Sequence, residues 1–121
     1  MGAFAKWVQV LEHARDEVGP EGRKVVEKGA YNIKDYWRAK WGGFRHAPDL
    51  PYAVTYDIFD EGDRVRAEIG PDKNKRQGAL GNLLEFGSEN NAPHPGGSPA
   101  LDAEGPRFEQ AVADLAEKLL S

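Results

Sequence analysis

A chain of 121 residues has room for one hydrophobic core and not for two. It has no cysteine, which excludes disulfide frameworks and thiolate metal sites, and no apolar run approaches the ~20 residues of a membrane span. A net charge of −4 argues against a general nucleic-acid binder, and Met1–Lys6 lacks the apolar stretch of a secretory signal, so a soluble protein suited to a reducing compartment is expected.

In chain order, Phe4, Trp7, Val8, Leu11, Ala14, Arg15 and Val18 recur at three- and four-residue steps, which predicts an amphipathic helix. Gly19-Pro20 interrupts it. Proline suits a first helical turn, so a second stretch is predicted from there, with Val25, Val26, Ala30, Ile33 and Trp37 as its apolar face and Tyr36 beside it. Gly42-Gly43 ends it, and the first 41 residues read as two helices or as one helix kinked at Pro20.

The period then changes to two. Tyr52, Val54, Tyr56 and Ile58, and after a Gly62-containing turn Val65, Ala67 and Ile69, predict an antiparallel hairpin over about 52–59 and 64–70. On its polar face Asp57 or Glu68 can pair with Arg64 or Arg66 across the strands. After the basic loop 72–77, Leu80, Leu83 and Leu84 share one side of a short helix that Gly87 is placed to stop. Residues 88–99 hold three prolines and two glycines, too many for regular structure. A last helix follows, with Pro106 in its first turn and Phe108, Ala111, Val112, Leu115, Ala116 and Leu119 on one face. A hairpin alone is rarely stable, so the sheet must be covered by helices or extended by another strand. The expected class is α+β, a small antiparallel sheet packed by N-terminal helices and a C-terminal amphipathic helix, in one domain over 1–121.

Reaction chemistry finds little to stand on. His13, His46 and His94 are far apart and have no cysteine to complete a metal site. Ser88, Ser98 and Ser121 lack the context of a nucleophile elbow, and Gly78-Ala79-Leu80-Gly81 lacks the lysine of a phosphate loop. An enzyme is not expected, and no cofactor. Trp7 and Trp37 lie on apolar stripes and should be core, whereas Trp41, at a helix end beside two glycines, is a candidate interface residue.

Charge is unevenly spread. From Arg23 to Arg45 seven bases face two acids, and from Glu85 to the C-terminus seven acids face two bases. The two segments can offset each other inside one monomer, or meet between copies in a head-to-tail ring.

Three motifs carry a family likeness: Ala67-Glu68-Ile69-Gly70-Pro71-Asp72-Lys73 at the end of the hairpin, the 78–88 segment with Leu84-Glu85-Phe86-Gly87, and the Ala92-Pro93-His94-Pro95 loop. Gly29-Ala30-Tyr31-Asn32-Ile33-Lys34 adds to it less specifically. With the terminal helix, they make the chain resemble the tail-component and head–tail joining (tail completion) proteins of lambda-like, long-tailed bacteriophages. The resemblance implies a structural virion protein of the neck or upper tail, assembled in the bacterial host's cytoplasm. It would form a homo-oligomeric ring, expected as a hexamer, that joins the tail to the DNA-filled head or caps the tail tube. Its partners would be itself and the neighbouring neck and tail-tube proteins, with genomic DNA passing the lumen without specific binding and no membrane involved. The expected inter-subunit or inter-ring contacts are Trp41, Lys73, Lys75, Arg76, Glu85, Phe86, Asn90, Pro93, His94 and Pro95. A local alternative has Phe86 filling the core and Glu85 pairing with a base of the second helix. The functional alternative is a small nucleic-acid-binding module using the basic 23–45 segment.

Overall fold

The computed structural model describes residues 9–13, 19–43, 47–61, 64–72, 74–76, 78, 81–87 and 92–120. The elements are β1 (Gln9–His13), α1 (Gly19–Lys40), a 3-10 turn (Leu50–Ala53), β2 (Val54–Asp60), β3 (Val65–Pro71), α2 (Gly81–Phe86) and α3 (Gly97–Leu120). The class is α+β: a three-stranded antiparallel sheet in the order β1-β3-β2, with α1 across one face and α3 packed against α1.

α1 forms where its stripe predicts. Val26, Ala30, Ile33 and Trp37 are fully buried against the sheet. Pro20 lies in the first turn, where its missing N–H has no helical partner to lose. Glu21 near the N-terminus and Arg38 and Lys40 near the C-terminus complement the helix dipole. Arg38 also ties the helix end to the sheet, its Nε and Nη2 donating to the Val54 carbonyl at 3.0 and 2.8 Å.

The hairpin forms at the expected place, with Tyr56 opposite Ile69 and Ile58 opposite Ala67. Its first strand starts at Val54 because Leu50–Ala53 are held in the 3-10 turn. On β3, Val65, Ala67 and Ile69 are buried and alternate with half-buried Arg66, Glu68 and Gly70. The outer-face pairing differs from expectation. Asp57 stands opposite Glu68, so Glu68 instead bonds Arg66 along its own strand, and Arg66 stacks over Phe59 across the ladder at 4.4 Å. Arg64 turns back to Glu61 at 3.0 Å.

Two helical expectations are corrected. Residues 9–13, expected inside the first helix, are a strand paired with β3 from Gln9 opposite Ile69 to His13 opposite Val65. Five residues with one adjacent apolar pair, Val10-Leu11, are too few to set a period, and pairing with β3 gives their backbone groups partners. The rest of that stripe, 1–8 and 14–18, lies outside the described residues. The last helix starts at Gly97, nine residues before the expected Pro106, which is internal to it. Its early start has a tertiary cause, described below.

The core gathers Val26, Ile33, Trp37, Leu50, Val54 and Ile69, with Ala100 of α3 completing it. Trp41, expected at an interface, is fully buried here. Among the described residues no helix is long and apolar enough to cross a membrane.

Candidate functional site

The Leu84-Glu85-Phe86-Gly87 motif and the proline loop meet at the N-terminus of α3. Every α-helix begins with four backbone N–H groups that lack a helical partner. Here the first helical hydrogen bond runs from Ala100 N to Gly96 O at 3.1 Å, so the orphan positions are Gly96, Gly97, Ser98 and Pro99. Pro99 has no N–H to satisfy. The other three donate to one carboxylate: Gly96 and Gly97 to Glu85 Oε1 at 3.0 and 3.1 Å, and Ser98 to Oε2 at 3.4 Å. Glu85 is 6 % exposed. A buried negative charge on a helix N-terminus gains both the hydrogen bonds and the dipole. It is the cap of α3, supplied by another helix eleven residues upstream.

Two tryptophans brace the cap. Trp37 and Trp41 meet edge to face, ring centres 5.5 Å apart. A Cβ on Gly96 would lie 2.5 Å from Trp37 Cδ1, and one on Gly97 would lie 2.7 Å from Trp37 Cη2. Only glycine lets this backbone lie on the indole. Trp41 Nε1 donates to the His94 carbonyl at 2.9 Å, and His94 N donates to the Leu84 carbonyl at 2.6 Å. Trp37 Nε1 has no hydrogen-bond partner among the described residues. Gly87, at φ +72°, turns the chain out of α2 in a conformation that a side chain would strain.

This arrangement sorts the expected contact residues. Trp41 and Glu85 are used inside the monomer, which corrects the expectation that their side chains face a neighbour. In place of the α1 base that the local alternative paired with Glu85, three backbone N–H groups bind it. Phe86, the next residue, is 44 % exposed, and Pro93, His94 and Pro95 are exposed on the loop that the clamp holds at the His94 backbone and at Gly96–Ser98. Lys75 and Arg76 lie elsewhere, lining a shallow depression with Asp49, Tyr52 and Ala53, where Arg76 is 3.7 Å from Asp49. Lys73 and Asn90 lie outside the described residues.

A second surface went unread in the sequence. Lys28 and Lys34 sit over the Tyr31 ring at 5.4 and 4.5 Å, Lys34 also approaches Tyr56, and Lys40 covers Tyr36. The signal was the Lys28-x-x-Tyr31-x-x-Lys34 spacing, which places neighbours on one helix face. On the outer sheet face the hydrogen bond that Arg66 donates to Glu68, helped by nearby Glu61, holds its guanidinium above even its high ordinary range. It stays charged at any pH the fold meets. Among the described residues no three acidic or histidine side chains are grouped to hold a metal ion. No family model, curated protein or solved structure matches the chain.

Proposed function

We propose that this chain is a structural subunit of the head–tail junction of a long-tailed phage, a ring that joins the tail to the filled head or caps the tail tube. The likeness of its 67–73, 78–88 and 92–95 motifs to that family motivates the reading. The observation that carries it is the rigid presentation of an exposed loop. Glu85, Trp37 and Trp41 hold residues 94–98 by hydrogen bonds and close packing while Phe86 and Pro93–Pro95 face outward. A loop ordered before it meets a partner spends less conformational entropy on docking. That suits a subunit that must recognise rings above and below it, in the virion neck or upper tail.

The test uses a phage whose gene carries Pro93→Ala, His94→Ala and Pro95→Ala together. The His94 backbone N–H and carbonyl that make its bonds are kept in these changes, and circular dichroism of the isolated protein checks that the fold is kept. Lysates in the electron microscope are expected to hold full heads beside separate tails for a joining role, or overlong tails for a capping role. Normal virions at normal yield overturn the reading. The second reading, a nucleic-acid-binding module, has the lysine–tyrosine surface of α1 in its favour. It requires salt-dependent DNA binding by the isolated chain.

A further inference from the structure

We infer that the flank formed by α1 and β2 is the docking surface for the outer face of α3 of a second copy of this chain. The inference rests on the ring reading and names the surfaces that neighbouring subunits would use.

The two surfaces are distinct faces of one molecule. α3 packs on α1 and touches β1, and Asn32 of α1 donates to Glu104 of α3 at 3.1 Å. Lys34 comes two residues later, about 200° around the helix, and meets Tyr56 of β2. The flank there is a shallow depression lined by Lys24, Glu27, Lys28, Tyr31 and Tyr56. Its floor is tyrosine and its rim is mostly cationic.

The opposite flank is the complement. Asp102, Glu109, Asp114 and Glu117 are exposed on α3, with Pro106 and Ala113 exposed between them. Both bases of α3 are exposed but engaged in ion pairs, Arg107 with Glu104 at 2.7 Å and Lys118 with Glu21 of α1 at 3.9 Å. Among the described residues, none of the four outer acids is in an ion pair. α3 therefore presents a mainly acidic ridge with an apolar crest, its two bases already held in ion pairs. The α1–β2 flank presents a basic rim around an apolar floor. Lys34 and Tyr56 lie on the β2 side of α1, while at the N-terminal end of α1 the flank reaches toward α3, where Glu21 pairs with both Lys24 at 3.8 Å and Lys118 at 3.9 Å. Among the described residues no flank lysine pairs with an outer acid of α3 within the chain, so pairing the two surfaces is a head-to-tail contact that closes into a ring or runs on as a filament. A copy of this chain suits the flank because α3 brings carboxylates for the lysine rim and an apolar crest for the tyrosine floor together.

Zero-length carbodiimide cross-linking tests the contact directly, since it joins only amines and carboxylates already in contact. Unlabelled and 15N-labelled protein are mixed at low salt, cross-linked and digested. Mixed-isotope peptides joining Lys24, Lys28 or Lys34 to Glu109, Asp114 or Glu117 are expected. Lys24→Glu with Lys28→Glu, and separately Glu109→Lys with Glu117→Lys, should each lower self-association at least about tenfold in sedimentation. Mixing the two charge-reversed proteins should restore association, because each then matches the other. No mixed-isotope links between these segments, or association indifferent to both reversals, overturns the inference. So does salt-dependent binding of a DNA oligonucleotide that Lys24→Glu with Lys28→Glu abolishes while no such cross-link forms. If the cross-links fail but the loop variant still separates heads from tails, this contact is wrong and the ring reading stands. If the cross-links form but the loop variant yields normal virions, the chain self-associates and the phage reading is lost.

Discussion

Glu85 concentrates the chemistry of this fold in one side chain. A carboxylate buried to 6 % exposure is expensive unless its lone pairs are filled, and here three N–H groups of a helix N-terminus fill them. Replacing it by glutamine keeps the shape but leaves one oxygen to accept and turns an N–H₂ group toward donors. Glu85→Gln is therefore expected to lower unfolding stability by about 1.5–3 kcal/mol in urea titration, the scale of hydrogen bonds to charged groups. Glu109→Gln, on the exposed face of α3, should stay within about 0.5 kcal/mol. Equal effects from the two would mean that the cap contributes nothing.

α3 is longer than its own residues favour. Pro106 cannot donate to Asp102 and its ring crowds the turn before it, a cost of ~3 kcal/mol in an ordinary helix interior. Tertiary contacts carry the helix past it: the Glu85 cap at one end, Ala100 in the core, and Glu104 between Asn32 and Arg107. Pro106 is exposed, so Pro106→Ala removes the penalty and disturbs no packing. It should raise the urea-extrapolated stability by about 1–3 kcal/mol. A helix that began at Pro106 would gain nothing from the change, since proline is at home in a first turn. The same experiment thus checks where α3 begins.

At the level of the whole molecule, β3 is the hub. It is hydrogen-bonded on both sides, by β1 and β2, and covered by α1, while among the described residues β1 and β2 are each paired along one edge. Amide hydrogen exchange should find 65–70 slowest in the sheet, with β1 exchanging many-fold faster, since an edge strand opens without unfolding the rest. Equal protection in β1 and β3 would contradict this order. The molecule also separates its charges by flank, cationic and tyrosine-lined at α1–β2 and acidic on α3. That polarity of the whole is what a head-to-tail assembly would use.

Much of this was legible beforehand wherever neighbours in sequence decide the outcome. The stripe of α1, the alternation and turn of the hairpin, and the glycine stop after α2 are set by residues a few positions apart, and each forms as its pattern predicts. The expected contact residues divide by the same criterion. Exposure of Phe86 and the proline loop fits their local chemistry, whereas Trp41 and Glu85 looked like surface because their partners are remote. Glu85 finds its donors 11 to 13 residues away, Trp41 its carbonyl 53 away, and Asn32 its carboxylate 72 away. Sequence alone determined an α+β domain without thiol chemistry and with two segments of opposite charge. Only the tertiary structure decided that 9–13 is a strand, that α3 starts at Gly97, and which charged faces are left outward. Those outcomes depend on which backbone groups would otherwise be buried without a partner, and no local pattern records that.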